Sequence, residues 1–396
     1  MLTRWLLLGL VCLSMHEAEA FLIDGSIPKG GGTPGRCAPR ADDDFASSSR
    51  QAALALGYPA HETMTRASIK LAAEGRTTTR VAAEALDAFL SAPASARRTI
   101  LACCRYVATS SYCRCLDPSE RRAEMADPEP IVTGSRWPDD PCHLLARGDT
   151  ALIWGRWLVG GASRGNNLFY LSHFHDFAFM HAMAPSGPAD ARSIESTATT
   201  RRKILTWMEF AFRVASGEIA GSATFAQAQR VMSPDAAPVF ERMFPGFVRS
   251  PKQWSIEFFL LGVPNADPLH VRQLALGALL HTLQDAYSDS HVRREGRVRP
   301  SVVTGAGPVV QYLDYKQQSR FFRHPAADAP PADLLGPTSP ASHHPVALGA
   351  EIIACAAQSA GSPGGTAWDC AAPFASRPFE PAAKQERLAG PGDRYR

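Results

Sequence analysis

Charge of one sign is scarcely in excess in this sequence: 41 basic residues against 38 acidic ones leave a formal net charge of +3. So small a surplus supplies no positive track for a phosphate backbone. No basic run with interleaved aromatics appears either, and double-stranded nucleic acid is not an expected partner. Long hydrophobic runs are also missing. The apolar stretch Trp5 to Leu13 covers about nine residues, whereas a bilayer-spanning helix takes roughly 20. Alternating strand patterns are scarce. Val302, Val303, Val309 and Val310 are β-branched but stand among Gly and Pro. No internal repeat is visible, and no composition shift cuts the helical body in two.

What is present is a chain of 396 residues, 45% hydrophobic and 20% charged, long enough to bury a sizeable core. Residues 1–20 read as a secretory signal: Arg4 for the positive region, Trp5 to Leu13 for the apolar region, and small residues suited to cleavage after Ala20. Cys12 stands in a weak lipobox-like context. The expected location is secreted or periplasmic. Residues 21–50, rich in Gly, Pro, Ser and Asp, read as a flexible leader. Nine cysteines occur, and removal of Cys12 leaves Cys37, Cys103, Cys104, Cys113, Cys115, Cys142, Cys355 and Cys370. An even count in an exported chain points to disulfides, with the pairing open. The Cys103–Cys115 cluster lacks the usual spacing of a zinc finger.

From about residue 51 the apolar spacing becomes helical. It covers Gln51 to Gly57, Thr63 to Ala73 and Thr79 to Leu90. It returns near 150–160 and is strong over Ile204 to Phe212, Phe225 to Val231 and His270 to Tyr287. Residues 116–140 read as a polar, Pro-rich loop. The stretch 331–396 reads as a Pro/Ala-rich, loop-rich tail with one short helix at Val346 to Ala357. The expected fold is all-α: one large helical domain over 51–330, followed by that tail.

Of the 12 histidines, seven spread through the helical body draw attention: His61, His173, His175, His181, His281, His291 and His324. A lone histidine is more often solvated or satisfied by a core hydrogen bond than functional. The settings of several alter that balance. His281 and Asp285 are four residues apart, so one helix face presents both. Leu274 and Ala278 continue that face as an apolar one, which takes the pair inward. A buried carboxylate needs a partner, and a metal ion is a common one; a helix-tying His–Asp hydrogen bond is the plainer alternative. Ser288, Asp289 and Ser290 can turn the chain so that His291 returns to the same place. His173 is bracketed by aromatics in Leu171-Ser-His-Phe-His-Asp-Phe177. His61 is followed by Glu62, and His324 and Asp328 repeat the three-residue gap of His281 and Asp285.

These motifs resemble the secreted zinc-dependent phospholipase C and single-strand-specific zinc nuclease superfamily. Its signature His-x3-Asp-x5-His is similar to His281, Asp285 and His291. Its His-Phe-aromatic-Asp-Pro segment is similar to His173 to Phe177, with Phe177 in place of Pro. Its closing His-x3-Glu or His-x3-Asp is similar to His324 and Asp328. The resemblance runs in short motifs from about residue 58 to 328. It implies an all-helical metallohydrolase with two or three zinc ions. Asp149, His173, His281 and Asp285 would surround one ion. His291, His324 and Asp328 would hold a second, and His61 would join Asp285 at a third. Asp149 would be the general base. The family uses the amino group of an N-terminal Trp on the third zinc, whereas cleavage after Ala20 would leave Phe21 here.

The implied function is an exported zinc phosphodiesterase of the phospholipase C type, acting on phospholipid or another phosphodiester, with peripheral membrane contact allowed. One alternative is a single-strand nuclease, for which Trp154, Trp157 and Tyr170 are the available stacking aromatics. The other is a non-catalytic helical protein whose metals only stabilise the fold.

Overall fold

A computed structural model describes residues 60–91, 130–138, 172, 176–185, 195–244, 255–261, 265–295, 307–314, 344–359 and 367–391. Helices dominate these residues, as the apolar spacing predicts. In chain order they are α1 (Ala60–Ala73), α2 (Ala83–Leu90), α3 (Pro130–Arg136) and a 3-10 turn (Ala178–His181). There follow α4 (Thr197–Ser216), α5 (Phe225–Val231), α6 (Ala237–Met243), α7 (Ile256–Leu261) and α8 (Pro268–Asp285). Strands β1 (Val292–Arg294) and β2 (Val309–Asp314) precede α9 (Pro345–Ser359), α10 (Ala367–Ser376) and the two-residue strand β3 (Gly390–Pro391). β1 and β2 run antiparallel, and β3 joins β2 in parallel. Val309 and Val310, which the sequence leaves without an assignment, therefore begin a strand.

Helices α4, α5 and α8 start where side chains can take up their free N–H groups. The Ser196 hydroxyl accepts from Thr199 N ahead of α4. Thr224 and Gln227 form a reciprocal capping box at α5. Asp267 accepts from the amides of Leu269 and His270, with Pro268 in the first turn of α8.

α8 is the central element. From Val271 to Asp285 nearly every residue is buried, as expected of a helix surrounded by others. α1, α2, α3, α4, α7, α9 and the 3-10 turn all pack on it. On one side the aromatics Trp207, Phe210, Phe225, Phe240, Phe244 and Phe259 interlock. Each such ring contributes on the order of 2–3 kcal/mol of burial.

Two expectations are corrected. Residues 116–140 read as a loop, yet Pro130–Arg136 is helical. Ile131, Val132, Thr133 and Gly134 are poor helix formers, and packing outweighs that preference. Gly134 and Gly277 let the backbones of α3 and α8 touch. A Cβ on Gly134 would run into the Leu274 carbonyl, and one on Gly277 into that of Ile131. The second correction concerns the expected tail from 331 to 396, where the helix read at Val346 to Ala357 is present as α9 but belongs to the core. Its α9 is buried along almost its whole length and packs on α1, α2, α4 and α8. The small side chains Ala350, Ala354, Ala356 and Ala357 give a helix that neighbours approach closely, which composition alone presents as low complexity. The Ser68 hydroxyl of α1 donates to Val346 O of α9. Buried Glu351 accepts from the amides of Thr78 and Thr79 and from the Thr78 hydroxyl. A disulfide joins Cys355 of α9 to Cys370 of α10.

Among the described residues no helix is long and apolar enough to cross a membrane. The signal region, the leader and the cysteines from Cys37 to Cys142 lie outside the described residues.

Candidate metal centre

The C-terminal turn of α8 carries His281 and Asp285 on one face, four residues apart, and neither side chain is exposed at all. Three further segments converge on them. His61 comes from the first turn of α1 and His181 from the end of the 3-10 turn. His291 arrives by a tight turn after α8, in which His291 N donates to Ser288 O and Ser288 pairs with Ser290 through their hydroxyls. Ser and Asp thus turn the chain back where the sequence predicts.

The four rings share one carboxylate. Asp285 Oδ2 lies 2.9 Å from His281 Nε2, 3.1 Å from His181 Nδ1 and 3.4 Å from His291 Nδ1. Asp285 Oδ1 lies 3.3 Å from His61 Nε2. The rings of His61 and His281 stack at 3.8 Å between centroids, and the ring of His181 stands edge-on to that of His281. Burial pushes the Asp285 carboxyl up. The electrostatic pull of His281, His291 and His61, with the hydrogen bond to His181, outweighs it and holds the group well below the ordinary carboxylate range. Asp285 is therefore an anion at neutral pH, buried among nitrogen donors.

The tautomers follow from what each Nδ1 touches. His281 Nδ1 is 2.8 Å from the Ser135 carbonyl, His291 Nδ1 is 2.7 Å from the His181 carbonyl, and His61 Nδ1 is 2.7 Å from Gln284 Oε1. A carbonyl oxygen only accepts, so each Nδ1 carries a proton, and in the neutral ring that a metal requires each Nε2 keeps its lone pair. His281 Nε2 and His181 Nδ1 then face each other at 2.9 Å beside a carboxylate oxygen. One proton or one cation must mediate that meeting.

This donor set fits a metal. Zinc takes imidazole nitrogens at about 2.0–2.1 Å and carboxylate oxygens at similar distance. Donors of one tetrahedral ion then stand about 3.4 Å apart, close to the spacings here. His61, His281 and Asp285 form a buried group able to hold an ion, their donor atoms all lying within 4.8 Å of one another. His181 Nδ1 brings a fourth donor to the His281 side of Asp285. Imidazoles anchored through the other nitrogen by a carbonyl are the usual support of metal ligands.

Neighbouring residues hold the ligands in place. Thr282 donates its hydroxyl to Met180 O and receives the Trp207 indole N–H, which ties the 3-10 turn to α8 beside both His281 and His181. Ala182 follows His181 in the left-handed region, at φ 52°. That conformation is costly for a residue with a Cβ. Leu313 N donates to His291 O, so β2 braces the returning turn. Glu62, next to His61, pairs with Arg136, next to Ser135, at 3.0 Å.

Four of the residues that the motifs single out, His61, His281, Asp285 and His291, meet at this centre. Asp149, His173, His324 and Asp328 lie outside the described residues. Asp176, from the His173 motif, is exposed. His181 joins the centre although the motifs give it no metal-binding role. Its flanks, Met180, Ala182, Met183 and Ala184, offer no carboxylate at helical spacing, which is the mark of the pairs at His281 and His324. The carbonyl of Ser135 leaves no trace in sequence at all, since every residue has one.

Comparison of the chain with protein-family models, with curated proteins and with solved structures returned no match.

Proposed function

We propose that this chain is an exported zinc-dependent phosphodiesterase of the phospholipase C type, related to the phospholipase C and zinc nuclease superfamily. The observation that carries the reading is the convergence of His61, His181, His281 and His291 on Asp285, built on the His-x3-Asp-x5-His spacing. His61, His181, His281 and Asp285 are the residues that would hold zinc. His291 Nε2, whose ring is anchored through Nδ1, is the donor toward a second ion, with His324 and Asp328 as its proposed companions. A bound zinc supplies Lewis acidity at neutral pH, the chemistry that phosphodiester hydrolysis requires. The chain's part is to fix tautomers through Ser135 O, Gln284 and His181 O, to keep Asp285 ionised, and to exclude bulk water from the donors. Asp149 is the proposed general base.

Elemental analysis of the purified protein, together with release of phosphorylated headgroup from phosphatidylcholine vesicles, tests the proposal. Two or three zincs per chain and turnover are expected, both lost in His281→Ala. Zinc without turnover on lipid or on single-stranded DNA would replace the enzyme by a structural metal protein. The complete burial of His281, Asp285 and His291 favours that second reading. No zinc at all would remove both.

A further inference from the structure

Gln284, the residue just before Asp285 on α8, is buried with both ends of its amide engaged. Oε1 lies 2.7 Å from His61 Nδ1, and Nε2 donates to the Thr65 hydroxyl at 3.0 Å. His61 and Thr65 stand four residues apart on α1, so one face of α1 grips the amide from two sides. Exposure is 2% at His61, 0% at Thr65 and 1% at Gln284, so water does not compete.

We infer that Gln284 is a positioning residue that fixes the His61 tautomer, so that Nε2 and not Nδ1 offers its lone pair beside Asp285. The inference rests on the reading of the cluster as a metal centre. A neutral imidazole has one proton to place. With a carbonyl oxygen at Nδ1, the proton stays there and Nε2, 3.3 Å from Asp285 Oδ1, is left to hold a cation. Turning the amide over would present an N–H to Nδ1, which would then have to accept. The proton would move to Nε2 and be donated to Asp285, filling the place of the ion. The Thr65 hydroxyl receives the amide N–H and opposes that turn. Supporting groups of this kind change metal affinity by about 10–100-fold when removed.

Two variants of nearly equal volume separate positioning from mere packing. Gln284→Leu removes the acceptor at Nδ1, whereas Gln284→Glu keeps one that cannot be turned over. Both disturb a buried polar contact, so both lower the midpoint of urea unfolding. Zinc affinity, measured by competition with a chelator, is expected to fall about 10–100-fold in Gln284→Leu and to be retained in Gln284→Glu. Thr65→Val, which keeps the helix and loses the hydroxyl, is expected to fall between them. Nitrogen chemical shifts of the His61 ring in zinc-free protein give a reading independent of metal: Nδ1–H in the wild type and in Gln284→Glu, a mixture of tautomers in Thr65→Val. Equal zinc affinity across the three variants overturns the inference, as does a wild-type His61 protonated at Nε2. A wild type that binds no zinc but shows Nδ1–H sinks the metal reading and leaves the tautomer assignment standing.

Discussion

At the scale of single residues, Asp285 matters through charge more than through shape. Asp285→Asn keeps the volume and removes the anion that four imidazoles share. Zinc affinity measured by calorimetry should drop by at least about 100-fold, while far-ultraviolet circular dichroism stays unchanged. His270 lies at the opposite end of α8 and makes a separate prediction. It is 1% exposed, and burial, only partly offset by Asp267, lowers its pKa from 6.5 to about 4. Above pH 6.5 the ring is neutral in both folded and unfolded chains and contributes no pH dependence. Between 6.5 and about 4 the unfolded chain binds a proton that the folded one does not, so stability falls as pH falls. Below about 4 the loss levels off, at roughly 3 kcal/mol in total. Urea titrations at pH 7 and pH 4 should show that much less difference in His270→Leu than in the wild type. At this scale the sequence exposes His281, Asp285 and His291, because helical spacing and a short turn place them by local rules. It conceals His181, whose approach to Asp285 depends on the tie between Thr282 and Met180 across separate elements.

Among the elements, the crossing of α3 over α8 governs the centre, because it delivers the Ser135 carbonyl to His281 Nδ1. Gly277→Ala inserts a methyl group where the Ile131 carbonyl stands. Overpacking of this kind costs about 1–3 kcal/mol, and the expected outcome is a lower melting temperature accompanied by weaker zinc binding. Ala278, one residue on, is buried in the same core. Ala278→Gly should lower the melting temperature through helix propensity, by about 1 kcal/mol, and leave zinc affinity nearly unchanged. The long helices are legible because an apolar period announces them, and Ser196 and Asp267 cap two of them in the structure. α3 is not, since its seven residues are held by contact with α8 and not by their own preference.

For the whole molecule, the C-terminal segment decides more than its composition suggests. α9 packs on α1, which carries His61, and on α8, which carries Asp285. The Cys355–Cys370 disulfide, which fastens α10 to that helix, spans a sequence separation of 15 residues. Closing a loop of that size contributes about 3 kcal/mol. Replacing both cysteines by alanine should lower unfolding stability by about that amount, measured by urea titration under oxidising conditions. Helical character is readable over most of the described chain from periodicity, while the role of 331–396 is hidden by Ala and Pro, whose meaning depends on what lies opposite them. The distances in sequence across the centre carry one more consequence. His61 and Gln284 are separated by 223 residues, and His281 and the Ser135 carbonyl by 146. Contacts so far apart along the chain form only after most of the loop entropy has been spent. Zinc added to the denatured chain should therefore leave the refolding rate unchanged, whereas zinc bound to the finished protein should slow unfolding. The centre would act as a latch on a structure already assembled, not as the seed around which it assembles.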